Sequence, residues 1–369
     1  MTISDRMSIP DRMRVARLHA WGDVRVEEAP VPEPGPGEIL VRVEACGVCG
    51  SDALVWYVER KSPAVLGHEP AGIVVATGDG VESLRVGDRV FAHHHAPCMA
   101  CEECRRGLWS NCSTWKRNQL APGGFAEYAV VGAESVARDT LVLPEEMSFE
   151  AAVFIEPLAT CIRALKRQGR VESGDVVLIV GLGSMGQLMV PLARAYGAET
   201  VLGSDFMADR RDRALRRGAD AVFDPGAEDV AEAVRSRTGG RGADVVVVCP
   251  GDVRAIRAGL DAAAPGGRVV CFTPLPPDSP VTLDLSPLYF REITLSQSYS
   301  CGPDETQKAL AMIAGGRVEV ASLVTHTEGL GGVAAALERA AGKGAGLKTV
   351  IQPHADGAEQ PAASASSPG

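Results

Sequence analysis

Two rhythms of apolar and polar positions divide the chain. In its first part, short runs alternate with the two-residue period of a half-buried strand: DVRVEE, EILVRVEA, AGIVVATG, DRVFAHHH and GFAEYAVV, each bounded by Gly, Pro or Asp. These runs predict an irregular, mostly β domain. From about residue 170 the rhythm changes. Continuous apolar stretches, VVLIV, TVLGSD and ADVVVVCPG, now alternate with segments such as MGQLMVPLARAYGA and DRRDRALRRGA, whose apolar positions recur at helical spacing. A strand buried on both faces needs no alternation, so this order predicts a doubly wound parallel sheet with crossover helices. RVVCFTPL and EITLSQSYS complete the sheet, and PDETQKALAMIAGGRVEVASLVTH predicts a helix returning toward the first domain. The expected fold class is therefore α/β. Residues 1–157 and 303–353 are expected to form a discontinuous β-rich domain, 158–302 a doubly wound domain, and 354–369 a disordered tail rich in Ala, Ser and Pro. The ordered fold can start near Met13.

Length agrees with two cores, since 369 residues exceed what a single core usually spans. A net charge of -10 opposes binding to a phosphate backbone, so no nucleic-acid partner is expected. The sequence shows neither a long apolar run of the kind a membrane helix needs nor the apolar centre of a signal peptide, which leads to the expectation of a cytoplasmic protein with no membrane partner. In that setting the ten cysteines are expected to bind metal or stay reduced. Cys46, Cys161, Cys249, Cys271 and Cys301 read as ordinary small buried residues.

The run GLGSMG follows VVLIV directly and opens a helix. Gly181 permits a tight turn, Gly183 lets backbone approach a pyrophosphate, Gly186 allows close helix packing, and Ser184 and Met185 stand at the helix N-terminus, which favours negative charge. Asp205, at the end of the next strand, can accept hydrogen bonds from ribose hydroxyls. A Rossmann-type site preferring NAD(H) is expected, with Arg210 and Arg211 near enough to tolerate NADP(H).

Cys98, Cys101, Cys104 and Cys112 form a CxxCxxCxxxxxxxC pattern, four soft ligands of the kind a structural Zn2+ takes. Cys49, His68 and either Glu69 or Glu156 supply a second set with sulfur, nitrogen and oxygen donors, suited to a catalytic Zn2+ that keeps a position open. Two zinc ions per chain are expected. The triple histidine His93 to His95 leads into the four-cysteine segment and reads as part of that lobe more readily than as an extra metal site. Trp109, Trp115, Lys116 and Arg117 stand where they could touch a large polar substrate or form a solvated face.

CGVCGSD at 46–52, GHE at 67–69, the four-cysteine segment, GGFAEY at 123–128, IEPLAT at 155–160 and GLGSMG together resemble the zinc-dependent medium-chain dehydrogenase/reductase family, alcohol dehydrogenase superfamily, in its sorbitol and threonine dehydrogenase branch. The resemblance spans nearly everything from Met13 to Pro353. It implies a GroES-like catalytic domain beside a Rossmann domain, and a homodimer or homotetramer. It further implies oxidation of a small polar alcohol to a ketone, or the reverse, with Cys49 as zinc ligand, Ser51 bonding the substrate hydroxyl, Asp52 orienting His68, and Glu69 and Glu156 exchanging at the metal. Polyols, sugars, cyclitols and amino alcohols are the expected substrates, and a biosynthetic pathway for cyclitols or amino sugars the expected setting. Many relatives carry a proton-relaying histidine where this chain has Leu54. That substitution sustains an alternative, a non-catalytic dinucleotide-binding sensor of the same fold.

Overall fold

The protein is described here by a computed structural model covering residues 9–342 and 346–355. The first part of the chain yields β1 (Arg12–Ala20), β2 (Asp23–Pro30), β3 (Ile39–Gly47), β4 (Ala64–Val65), β5 (Glu69–Thr77), β6 (Arg89–Ala92), β7 (Leu120–Ala121), β8 (Tyr128–Val131) and β9 (Thr140–Val142). The second yields β10 (Val176–Val180), β11 (Thr200–Ser204), β12 (Ala221–Phe223), β13 (Ala243–Val248), β14 (Ala263–Cys271) and β15 (Thr294–Gln297), and the chain closes with β16 (Val324–Glu328) and β17 (Lys348–Ile351).

β10 to β15 form one parallel sheet in the order β12-β11-β10-β13-β14-β15. Its central strands are buried on both faces, as their unbroken apolar runs require: Val177, Leu178, Ile179 and Val245 to Val248 are all fully buried. Helices Ser184–Ala195, Ala208–Arg216, Val230–Arg237 and Val253–Ala262 provide the crossovers. The other large sheet runs β16-β17-β3-β5-β6-β9, with β8 also on β3 and β7 on β8, while β1, β2 and β4 form a small sheet of their own.

β1, β16 and β17 were not among the predicted runs, and they matter here. β17 pairs antiparallel with β3, placing Val350 opposite Gly47, and β5 pairs with β3 on the other side, placing Glu69 opposite Gly47. The DRVFAHHH run leaves the sheet at Ala92, so the three histidines lie beyond the strand.

Helix Ile155–Ile162 packs against helices Pro303–Ala314 and Ser184–Ala195, with all its residues but Thr160 buried. It continues into a wider π-helical turn over Arg163–Gln168. Phe154, Ile155, Leu158 and Leu165 join one core with Phe91, Leu188, Val247, Ala309 and Val350, which draws on both large sheets. Each fully buried Val, Leu, Ile or Phe side chain among these contributes about 1.5–3 kcal/mol. Of the expected tail from residue 354, the structure describes two residues. His354 Nε2 lies 3.2 Å from the Glu127 carbonyl and its ring meets Tyr128, and the remainder, 356–369, lies outside the described residues.

Candidate metal and dinucleotide sites

β3 ends at Gly47, and the short 3-10 turn Gly50–Ala53 follows with Cys49 as its N-cap. Asp52 in this turn is buried and works in two directions. Its Oδ2 accepts from the Cys49 N–H at 3.1 Å, and its Oδ1 lies 3.2 Å from His68 Nδ1. One carboxylate thus fixes both residues, and it leaves His68 Nε2 free for a metal. Burial pushes the Asp52 carboxyl up, but His68 and the Cys49 N–H outweigh it and hold it below the ordinary range. The Ser51 N–H donates to Cys49 Sγ at 3.5 Å.

Glu69, the first residue of β5, is 0% exposed and forms an ion pair with Lys348 of β17, itself 1% exposed. Gly47 lies beneath the pair: an added Cβ would overlap Glu69 Oε2 and come within 2.8 Å of Lys348 Cε. Burial pushes the Glu69 carboxyl up, against the opposing pull of Lys348 and His68 and with Glu156 adding to it. Lys348 stands above its ordinary value because Glu69 outweighs burial. Sequence reasoning passed over Lys348, which belongs to no motif.

The donor atoms of Cys49, His68 and Glu69 lie within 4.8 Å of one another. A tetrahedral zinc with bonds of about 2.0–2.3 Å separates its ligands by about 3.3–3.8 Å, so this donor set fits one. Glu156, second residue of its helix, falls in a different group, with His93 and Cys301.

The four-cysteine segment is brought together as a unit. Cys98 Sγ lies 3.9 Å from Cys104 and 3.6 Å from Cys112, and Cys101 lies 3.4 Å from Cys104. Four thiolates around zinc stand about 3.8 Å apart, which these separations approach. The N–H groups of Ala100 and Cys98 donate to Cys98 and Cys112 sulfur. Among the described residues, the lobe's core adds to its cysteines Trp109 and Trp115 alone, too little apolar surface to order it without a metal. Trp109 and Trp115 are 7% and 2% exposed, so they serve this core, whereas Lys116 and Arg117 face solvent.

The rings of the three histidines lie side by side, His93 and His94 5.0 Å apart and His94 and His95 3.9 Å apart, but each takes a different partner. His93 is buried with Nδ1 2.6 Å from Asp139 Oδ2. The His94 ring stands 5.0 Å from that of His68 with a buried, unpartnered Nδ1. The His95 ring lies tilted by 31° against Trp115 with centroids 3.8 Å apart, and it places Nδ1 2.7 Å from the Asn118 carbonyl.

At the carboxyl end of β10, Gly181 adopts φ 89°, and a Cβ on Gly186 would overlap the Gly181 carbonyl oxygen. The turn therefore brings helix Ser184–Ala195 hard against the strand end, with Gly183 as its N-cap. Ser184 Oγ donates to the Leu347 carbonyl at 2.6 Å, and the Met185 carbonyl accepts from Cys161. Asp205 is 8% exposed; its Oδ2 accepts from the Leu182 N–H at 2.8 Å and its Oδ1 from the Met207 N–H at 2.9 Å. Arg210 Nη1 lies 3.7 Å from Asp205, while Arg211 is turned to Asp224 at 3.0 Å. Of the two arginines, Arg210 is the one beside the glycine turn.

A doubly wound sheet with this glycine turn, joined to a β domain with a Cys/His/Glu set and a four-cysteine lobe, defines a zinc- and nicotinamide-dependent dehydrogenase. Residues 35–144 match the alcohol dehydrogenase GroES-like domain, and residues 184–315 match the zinc-binding dehydrogenase model. The chain is 36% identical over 308 residues to L-threonine 3-dehydrogenase of Pyrococcus horikoshii, covering 81% of this chain and 86% of the relative. It is 29% identical over 357 residues to sorbitol dehydrogenase of Bacillus subtilis, covering 94% and 99%. A zinc-binding dehydrogenase from Sinorhizobium meliloti, solved with NADP, superposes with a TM-score of 0.84 at 31% identity, over 93% of this chain and all of that one. The chain belongs to the zinc-dependent medium-chain dehydrogenase/reductase family, and is an oxidoreductase of its NAD(P)-dependent alcohol dehydrogenase class. No helix among the described residues is long and apolar enough to cross a membrane.

Proposed function

We propose that the protein interconverts a secondary alcohol and its ketone on a polyol, sugar, cyclitol or amino alcohol, with NAD(H) preferred and NADP(H) tolerated. The observation that carries this reading is the convergence of Cys49, His68 and Glu69 next to Ser51, one residue before the Asp52 that braces the set. Cys49, His68 and Glu69 would hold the catalytic zinc, with Glu156 nearby to exchange, and Cys98, Cys101, Cys104 and Cys112 the structural one. Bound there, zinc lowers the pKa of an alcohol hydroxyl so that hydride can leave the adjacent carbon for the nicotinamide. Ser51 would accept a hydrogen bond from that hydroxyl and, on taking its proton, pass its own hydroxyl proton on to the cofactor ribose and from there to water. Asp52 holds His68 in one tautomer. Gly181, Gly183, Ser184, Met185 and Gly186 receive the pyrophosphate, Asp205 binds the ribose hydroxyls, and Arg210 adds positive charge where a 2′-phosphate would lie. Relatives named for threonine and sorbitol support the substrate class.

We also assign residues 1–157 and 303–353 to the catalytic domain and 158–302 to the dinucleotide domain. The assembly is a homodimer or homotetramer. Leu285, Tyr289 and Phe290, exposed at 69%, 77% and 81%, lie near β15, the edge strand of the parallel sheet, and supply an apolar face for a second copy.

The test is nicotinamide absorbance with zinc-loaded protein against polyols, cyclitols, amino sugars, amino alcohols and simple secondary alcohols, with NAD and NADP. Turnover on one polar class supports the reading, and a preference for simple alcohols would overturn it. Cys49→Ala should abolish turnover with the fold retained, as circular dichroism would check.

A further inference from the structure

His93, Glu156 and Cys301 form a second group of metal-type donors, buried at 0%, 6% and 1% exposure. Their donor atoms lie within 4.8 Å of one another, and His93 Nε2 stands 3.7 Å from Cys301 Sγ. A tetrahedral zinc or cobalt ion bonded to one nitrogen and one sulfur separates those atoms by about 3.6 Å. The imidazole is already oriented for such an ion. Asp139 Oδ2, 2.6 Å from His93 Nδ1, places the proton on that nitrogen and leaves the Nε2 lone pair facing Cys301, while Asp139 Oδ1 accepts from Thr306. A carboxylate behind the remote ring nitrogen is how metal-bound histidines are commonly fixed.

Glu156 supplies an independent observation. It is 94% buried, and no described residue donates a hydrogen bond to its carboxylate. A carboxylate with no protein donor is left available to a cation. His93 and Cys301 take no part in the dehydrogenase reading, and nothing in that chemistry asks for a thiol and an imidazole here.

We propose that His93, Glu156 and Cys301 form a third metal position, inward of the Cys49–His68 set, for zinc or a divalent ion of similar softness. Because Glu156 is shared, an ion held there draws this carboxylate away from the neighbouring site.

The experiment adds Co2+ to the zinc-loaded holoenzyme. Total zinc plus cobalt per chain is read by plasma mass spectrometry, and thiolate-to-cobalt absorption by spectrophotometry. The expected total is about three ions per chain. One equivalent should be lost in both Cys301→Ser and His93→Gln, with any cobalt band at this position lost in Cys301→Ser. A wild-type total of about two at saturating metal would overturn the proposal, as would a third equivalent that survives in both variants. Circular dichroism reports whether the variants fold; if neither does, the wild-type total decides. Since metal content is read without turnover, failure here is separable from failure of the dehydrogenase reading.

Discussion

Replacing Lys348 by Met tests the account of the β3–β5–β17 junction. Lys348 and Glu69 are both removed from water, at 1% and 0% exposure, and meet above a glycine that leaves room for nothing else. Methionine keeps most of the volume but strands the carboxylate in molecules whose catalytic site holds no zinc. Breaking a buried pair by deleting one partner costs about 3–5 kcal/mol, whereas replacing both charges is often near neutral. The expected loss corresponds to roughly 10²–10⁴-fold in the local opening equilibrium, at about 1.4 kcal/mol per decade. Because the chain has more than one core, a single unfolding free energy is a poor readout. Hydrogen exchange by mass spectrometry on peptides spanning β3 and β17 reads the junction directly. Lys348→Met should speed exchange there by that factor, Lys348→Arg should speed it much less, and Lys348→Met with Glu69→Gln should recover most of the protection. Zinc content is measured in each sample so that metal loss is not scored as loss of the pair. Less than about tenfold acceleration in Lys348→Met, or additive effects in the double variant, would refute the coupling.

Asp205→Ser should raise the NADP:NAD ratio of kcat/KM by about 10–100-fold, since it removes a charged acceptor beside Arg210; an unchanged ratio would remove Asp205 from ribose recognition. Cys101→Ala should lower zinc by one ion per chain and open residues 98–117 to limited proteolysis, and retention of all zinc would exclude the four-thiolate site. Phe290→Glu should dissociate the proposed homodimer or homotetramer in light scattering, because it sets a charge in the exposed apolar face; an oligomer of unchanged mass would place the interface elsewhere.

Local spacing made the dinucleotide turn and the four-cysteine lobe legible, because each is built from residues close in sequence and obeys one geometric rule. The parallel sheet was readable for a similar reason: strands buried on both faces lose the alternation that half-buried strands keep. Lys348 was not readable. It sits in a four-residue strand, KTVI, and reaches Glu69 through the register of two strand pairings across β3. His93 and Cys301 are 208 positions apart and meet only when the helix carrying Glu156 is packed between the sheets. Trp109 and Trp115 could be read as a ligand surface or a solvated face because a small lobe's need for its own core becomes visible only when its four sulfurs are brought together.

The position of β17 also orders the making of the molecule. A ribosome releases Cys49, His68 and Glu69 early, but the ammonium that neutralises Glu69 emerges with Lys348, after every strand of the parallel sheet. During synthesis that sheet can close while β3 still lacks one neighbour and Glu69 its counter-ion. The metal pocket can therefore be the last part completed, since its counter-charge is the last of these residues to be made. A nascent chain halted after residue 347 would contain every proposed zinc ligand and still lack the strand that brings in the counter-charge.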